Sequence, residues 1–113
     1  MAFKVNEYFD GNVKSIGFEG KNGRATIGVM SPGAYEFSTT TIEVMTVIDG
    51  ALAAQLPGEK TPTVYRAGDS FRVGAGETFH LTVGVPSAYY CQYQIQSKSA
   101  RGTRPRGQRL VRP

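Results

Sequence analysis

Ile42-Glu43-Val44-Met45-Thr46-Val47-Ile48-Asp49-Gly50-Ala51-Leu52-Ala53-Ala54-Gln55-Leu56 is the stretch on which the fold turns. Its first half is rich in branched residues, which pack well on a pleated strand. Asp49-Gly50 is a turn signal, so Ile42–Ile48 folds back into Ala51–Leu56. Side chains alternate across a strand, which puts Ile42, Val44, Thr46 and Ile48 on one face and Glu43, Met45 and Val47 on the other. A carboxylate sharing an apolar face is costly unless it is paired or used, or stands at the wet end of the strand.

The same rhythm extends in both directions. Upstream, Val13–Glu19 and Arg24–Met30 flank Lys21-Asn22-Gly23, where Asn-Gly predicts a tight hairpin. Ser31-Pro32-Gly33 closes that strand and Tyr35–Ser38 begins another. Residues 1–12 read as a lead-in, with Asp10-Gly11 as a turn. Downstream, Pro57-Gly58 and Pro62 mark a loop, then Thr63–Arg66 turns through Ala67-Gly68-Asp69 into Ser70–Val73. Gly74-Ala75-Gly76 leads to Thr78–Val83, Val85-Pro86 turns again, and Ala88–Ile95 is the last strand. About nine short strands with almost no helix predict an all-β sandwich or barrel.

Composition agrees. Ten valines, ten threonines and five isoleucines stand against four leucines, and 14 of 113 residues are glycine. A helical bundle is excluded. No stretch approaches the roughly 20 apolar residues of a membrane helix, and no secretory signal opens the chain. The single cysteine, Cys91, excludes an intramolecular disulfide and a multi-thiolate zinc site and suits a reducing, cytoplasmic setting. Between Tyr89 and Tyr93 on one strand face, it reads as a buried, inert thiol.

The net charge of +4 is unevenly divided. Residues 1–96 carry seven cations and nine carboxylates, a net of −2, whereas residues 97–113 carry six cations and no acid. The expected organisation is one β domain over 1–96 and a disordered basic tail over 97–113. The tail predicts at most weak, non-specific nucleic-acid contact, because no aromatic platform is interleaved with its charges.

His80 is the only histidine and the only side chain whose unperturbed pKa lies near neutrality. Phe79 and Leu81 lie on the opposite face of its strand. It is either a hydrogen-bonded structural residue or an acid–base group.

Spacing adds a further reading. Glu43 is followed by six residues and Gly50; Gly68 is followed by five residues, a Gly-x-Gly and then His80. This layout resembles the two motifs of the cupin superfamily, whose members hold a metal on three histidines and a glutamate in a small β-barrel. Here Phe37 and Thr39 stand at the two histidine positions of the first motif, and Gly74 replaces the usual proline of the second. Glu43 and His80 alone are too few for the usual divalent site.

Longer segments narrow the resemblance. Asn6-Glu7-Tyr8-Phe9, Val13–Phe18, Gly23–Met30, Tyr35–Thr39, Met45–Leu52, Phe79-His80-Leu81 and Cys91-Gln92-Tyr93 together resemble the pyrimidine/purine nucleoside phosphorylases, a family of small cupins. The resemblance implies an RmlC-like jelly-roll barrel and a homodimer. It also implies a metal-independent pentosyltransferase of broad specificity, converting purine and pyrimidine nucleosides plus phosphate to free base and ribose 1-phosphate. No cofactor is implied beyond phosphate as co-substrate. The alternative is a non-catalytic cupin that binds a nucleoside or sugar.

Breaking the glycosidic C–N bond passes through an oxocarbenium-like state. Glu43 and His80 are the expected catalytic pair, with Glu43 facing the sugar cation or its hydroxyls and His80 protonating the base or binding phosphate. Arg24 is the expected phosphate ligand, since its forked guanidinium suits that anion; Arg72 is the second choice. Tyr35, Phe79 and Tyr93 are candidates for stacking on the base, with core packing as the alternative for each.

Overall fold

The computed structural model describes residues 3–94. The expected tail over 97–113, the domain boundary at 96 and the last residue of the Ala88–Ile95 strand lie outside the described residues. Ten strands and no helix make up the described chain: β1 (Lys4–Tyr8), β2 (Val13–Gly20), β3 (Gly23–Met30), β4 (Gly33–Ser38), β5 (Ile42–Asp49), β6 (Ala51–Gln55), β7 (Thr63–Arg66), β8 (Ser70–Val73), β9 (Thr78–Val83) and β10 (Ser87–Gln94). Among the described residues, no helix is long and apolar enough to cross a membrane.

β1 falls in the stretch read as a lead-in. It pairs antiparallel with β2, from Lys4↔Gly17 to Tyr8↔Val13. Its inward positions Lys4, Asn6 and Tyr8 carry no apolar alternation, so an edge strand of this kind leaves little trace in sequence.

The strands form two antiparallel sheets, ordered β1-β2-β3-β10-β5-β8 and β4-β9-β6-β7. The sheets face one another as in a jelly roll, and no ladder among the described residues joins their edges into a closed barrel. Met45, Val47, Phe71, Val73 and Tyr89 from the larger sheet meet Leu52, Tyr65, Phe79, Leu81 and Val83 from the smaller one in a single core. Period-2 alternation decides the faces: β9 is buried at Phe79, Leu81 and Val83 and exposed at Thr78, His80 and Thr82.

Thr39 ties two loops together under this core. Its hydroxyl donates to the Gly74 carbonyl at 2.6 Å and accepts from the Glu77 amide at 3.0 Å. Its own amide donates to the Glu77 carbonyl, and the Gly76 amide donates to its carbonyl. A residue at a cupin metal-ligand position is here a buried staple.

Candidate active site

Packing gives way around Glu43. A cavity of about 150 Å³ lies between the sheets, walled by Ser15, Glu43, Phe79, Tyr89, Cys91 and Tyr93 among others. A wider depression of about 800 Å³ adjoins it, sharing Tyr8, Glu43 and Tyr93 and extending to Arg24, Glu19 and Thr41. Glu43, with Tyr8 and Tyr93, therefore stands where the two spaces meet.

β5 places Glu43 on the inner face beside Met45, opposite Tyr93 of β10 in the ladder. The Cys91 thiol donates to Glu43 Oε1 at 3.6 Å. Burial pushes the Glu43 carboxyl above the usual carboxylate range, and the Cys91 hydrogen bond only partly opposes this. Among the described residues, Glu43 is the only carboxylate lining the inner cavity. Burial also raises the Cys91 thiol, with the Glu43 charge adding to it, so the thiol stays protonated, as expected for an inert buried cysteine.

Arg24 and Tyr93 meet at the mouth. The guanidinium carbon of Arg24 lies 5.3 Å from the Tyr93 ring centroid, a cation–π contact that leaves the edge donors of the fork free. The Tyr93 hydroxyl shares a 3.2 Å hydrogen bond with Thr26 Oγ1, which fixes the ring from behind.

The structure thus brings Phe79 to the inner cavity and Arg24 to the outer depression, with Glu43 and Tyr93 lining both, although Phe79 is itself core, stacked on Phe37 at 5.8 Å. It does not bring in Tyr35, which is buried against Phe9 and donates its hydroxyl to the Ser31 carbonyl at 2.6 Å. Arg72 is exposed on β8 and lines neither space.

His80 is also elsewhere. It is exposed on the outer face of the smaller sheet, 3.2 Å from Glu36 Oε1 across the β4–β9 ladder. The placement of His80 inside with Glu43 is therefore corrected. Phe79 and Leu81 outbid it for the interior, and one step along a strand exchanges faces. The position that faces the cavity belongs to Phe79.

That shift completes the test of a cupin metal site. Phe37 and Phe79 line the cavity with hydrocarbon, the Thr39 hydroxyl is occupied by Gly74 and Glu77, His80 faces outward, and of the four cupin ligand positions Glu43 alone offers a donor to the cavity. No group of three His, Cys, Asp or Glu side chains converges among the described residues. A divalent ion held in the cupin manner does not fit this donor set. Tyr8, Ser15 and Tyr89 also line the cavity and were not picked out from sequence. The spacing of Tyr89, Cys91 and Tyr93 on one face was the available signal.

Fold and site together define a small cupin stripped of metal ligands, with one half-buried carboxylate beside a mouth of arginine and tyrosine. An RmlC-like cupin from Shewanella frigidimarina superposes with a TM-score of 0.66 at 17% identity, covering 86% of this chain and 87% of that one. The chain belongs to the pyrimidine/purine nucleoside phosphorylase family, whose model matches residues 3–93. It is 55% identical over 92 residues to a pyrimidine/purine nucleoside phosphorylase of Pseudomonas putida, covering 81% of this chain and 98% of that protein. A crystal structure of a Vibrio parahaemolyticus protein of unknown function superposes with a TM-score of 0.80 at 42% identity, covering 83% of this chain and all of that one.

Proposed function

We propose that the protein is a nucleoside phosphorylase of broad base specificity that uses inorganic phosphate as co-substrate and no metal. The observation that carries this reading is the placement of Glu43 between the narrower inner cavity and the arginine–tyrosine mouth. An inner space of about 150 Å³ is too small for a whole nucleoside, since sites for drug-sized ligands span roughly 300–1,000 Å³. The substrate therefore straddles the two spaces, with the sugar at Glu43 and the base toward Tyr93 and Tyr8. Stacking on a tyrosine face accepts any base.

Arg24 holds phosphate on the open side. A phosphate oxygen forms its bond to the anomeric carbon as the glycosidic C–N bond breaks, and the bonding pair leaves with the base. Ionised Glu43 stabilises the positive charge that develops on the sugar. The departing base takes its proton from phosphate monoanion or water, because His80 faces away from the cavity. Products are free base and ribose 1-phosphate.

The outer face of the larger sheet fits a second copy of the chain, and we assign the homodimer to it. Val5, Ile16 and Ile27 lie side by side in register, with Val29 and Ile48 nearby; all five are 45–57% exposed. A contiguous apolar patch of this kind marks an interface. The single buried thiol suits a cytoplasmic protein.

Incubation of the protein with uridine or adenosine, with and without phosphate, tests the function. Phosphate-dependent release of free base is expected. Nucleoside binding without release would make the protein a binding module.

A further inference from the structure

β3 outruns its neighbour at the mouth. Its ladder with β10 ends at Gln92↔Ala25, whereas its ladder with β2 continues through Glu19↔Arg24 to Gly20↔Gly23. Beyond Gln92, β10 pairs only with β5. The hairpin tip that carries Arg24 therefore overhangs, and its carbonyls on that side have no strand to accept from.

The Gln92 side chain takes the place of the missing strand. Gln92 is a buried polar residue, 8% exposed. Its Nε2 donates to the carbonyls of Asn22 and Arg24, each at 3.1 Å, on either side of Gly23 with its positive φ of 110°. Its Oε1 accepts from the Tyr90 hydroxyl, which sets the amide's orientation. A buried amide with both ends engaged fixes backbone it does not itself belong to.

Only the side chain of Arg24 then remains to be placed, and the neighbouring Tyr93 ring does that. Glu19, the cross-strand partner of Arg24, makes no ion pair with it among the described residues. We infer that Gln92 is a positioning residue for phosphate: it anchors the overhanging hairpin so that the Arg24 guanidinium stands at the mouth with its donors free. This rests on the phosphorylase reading for the phosphate at Arg24 and its kinetic consequence, but not for the anchoring of the hairpin.

The test measures inorganic phosphate binding by calorimetry and phosphorolysis of uridine, in the full chain. Gln92→Leu is expected to weaken phosphate binding and raise KM for phosphate by about tenfold, the scale of one well-made hydrogen bond, with kcat and nucleoside KM little changed. In an Arg24→Ala background the same substitution should add nothing, since the two residues act as one unit. Tyr90→Phe, which leaves the amide in place and only loosens it, should give a smaller effect of the same signature and covers the case in which Gln92→Leu does not fold. Equal losses in kcat and nucleoside KM, or an effect that persists without Arg24, would overturn the inference. So would phosphate binding that is identical in wild type and Arg24→Ala. Phosphate binding through Arg24 with no base release would instead reject the phosphorylase reading and leave the anchoring intact.

Discussion

Glu43 and His80 show how differently two titratable side chains can be situated on facing sheets. Burial lifts the Glu43 carboxyl above its ordinary range, so the folded protein holds that proton more tightly than the unfolded chain does. The contribution to stability is therefore fully present below the ordinary carboxylate value and is lost as pH rises through the raised folded value. Glu43→Gln removes that cost: its melting temperature should exceed that of wild type at neutral pH, and the difference should vanish in acid. Turnover should move the other way. With the anion gone, Glu43→Gln should lose about 10²-fold, on the scale of deleting one preorganised electrostatic group. Wild-type turnover should fall as pH drops through the raised value, and a pH–rate profile that falls instead with rising pH would make Glu43 a proton donor. His80 is 57% exposed in its side chain and pairs with the solvated Glu36. His80→Gln should leave turnover within about threefold of wild type, as is usual for surface substitutions.

Among the elements, β10 organises the site, with three consecutive residues performing separate tasks. Cys91 meets Glu43, Gln92 meets the hairpin, and Tyr93 lies under Arg24. The strand also depends on an absence in its neighbour. Gly28 of β3 stands directly opposite Tyr89, and a methyl group there would lie 2.5 Å from the Tyr89 ring. Gly28→Ala should therefore cost about 1–3 kcal/mol in denaturant unfolding, as overpacking does in a filled core. An unchanged midpoint would mean that the ring swings away freely. Alternation made β9 legible in sequence, because its apolar residues recur at every second position, and β5 was legible from its run of branched residues closed by Asp49-Gly50. It also assigned His80 and Phe79 to opposite faces correctly. What local pattern could not do was overrule a motif spacing that put histidine inside; the interior went to the more apolar face. Gln92 and the overhang were not legible at all, since they arise from where two ladders end and not from any residue's neighbours in sequence.

For the whole molecule, two features remain to be accounted for, and they differ in kind. The apolar outer face of the larger sheet is the surface assigned above to an isologous contact, in which the same patch serves both copies. The protein should run near twice its 12.2 kDa chain mass in solution, and Ile27→Asp should return it to monomer. A monomeric wild type at micromolar concentration would leave that face without a partner. The basic stretch from residue 97 onward is a different matter, for it lies beyond the family match over 3–93. The part of the chain that aligns with the Pseudomonas putida relative already covers 98% of that protein. Phosphorolysis is therefore expected to need nothing after Gln96. Six cations without an acid can neutralise phosphates of a polyanion, whereas residues 1–96 at −2 repel one at long range. Any RNA retention through that stretch should be indifferent to sequence and fall steeply with salt, because it rests on counterion release. Truncation after Gln96 should then abolish RNA retention at low salt and leave uridine phosphorolysis at the wild-type rate. Both activities, measured in full-length and truncated protein at two salt concentrations, decide the point. Loss of phosphorolysis with the β sheets intact by circular dichroism would place the basic stretch in the active site. Arg24 would then share the phosphate with a cation from beyond residue 96.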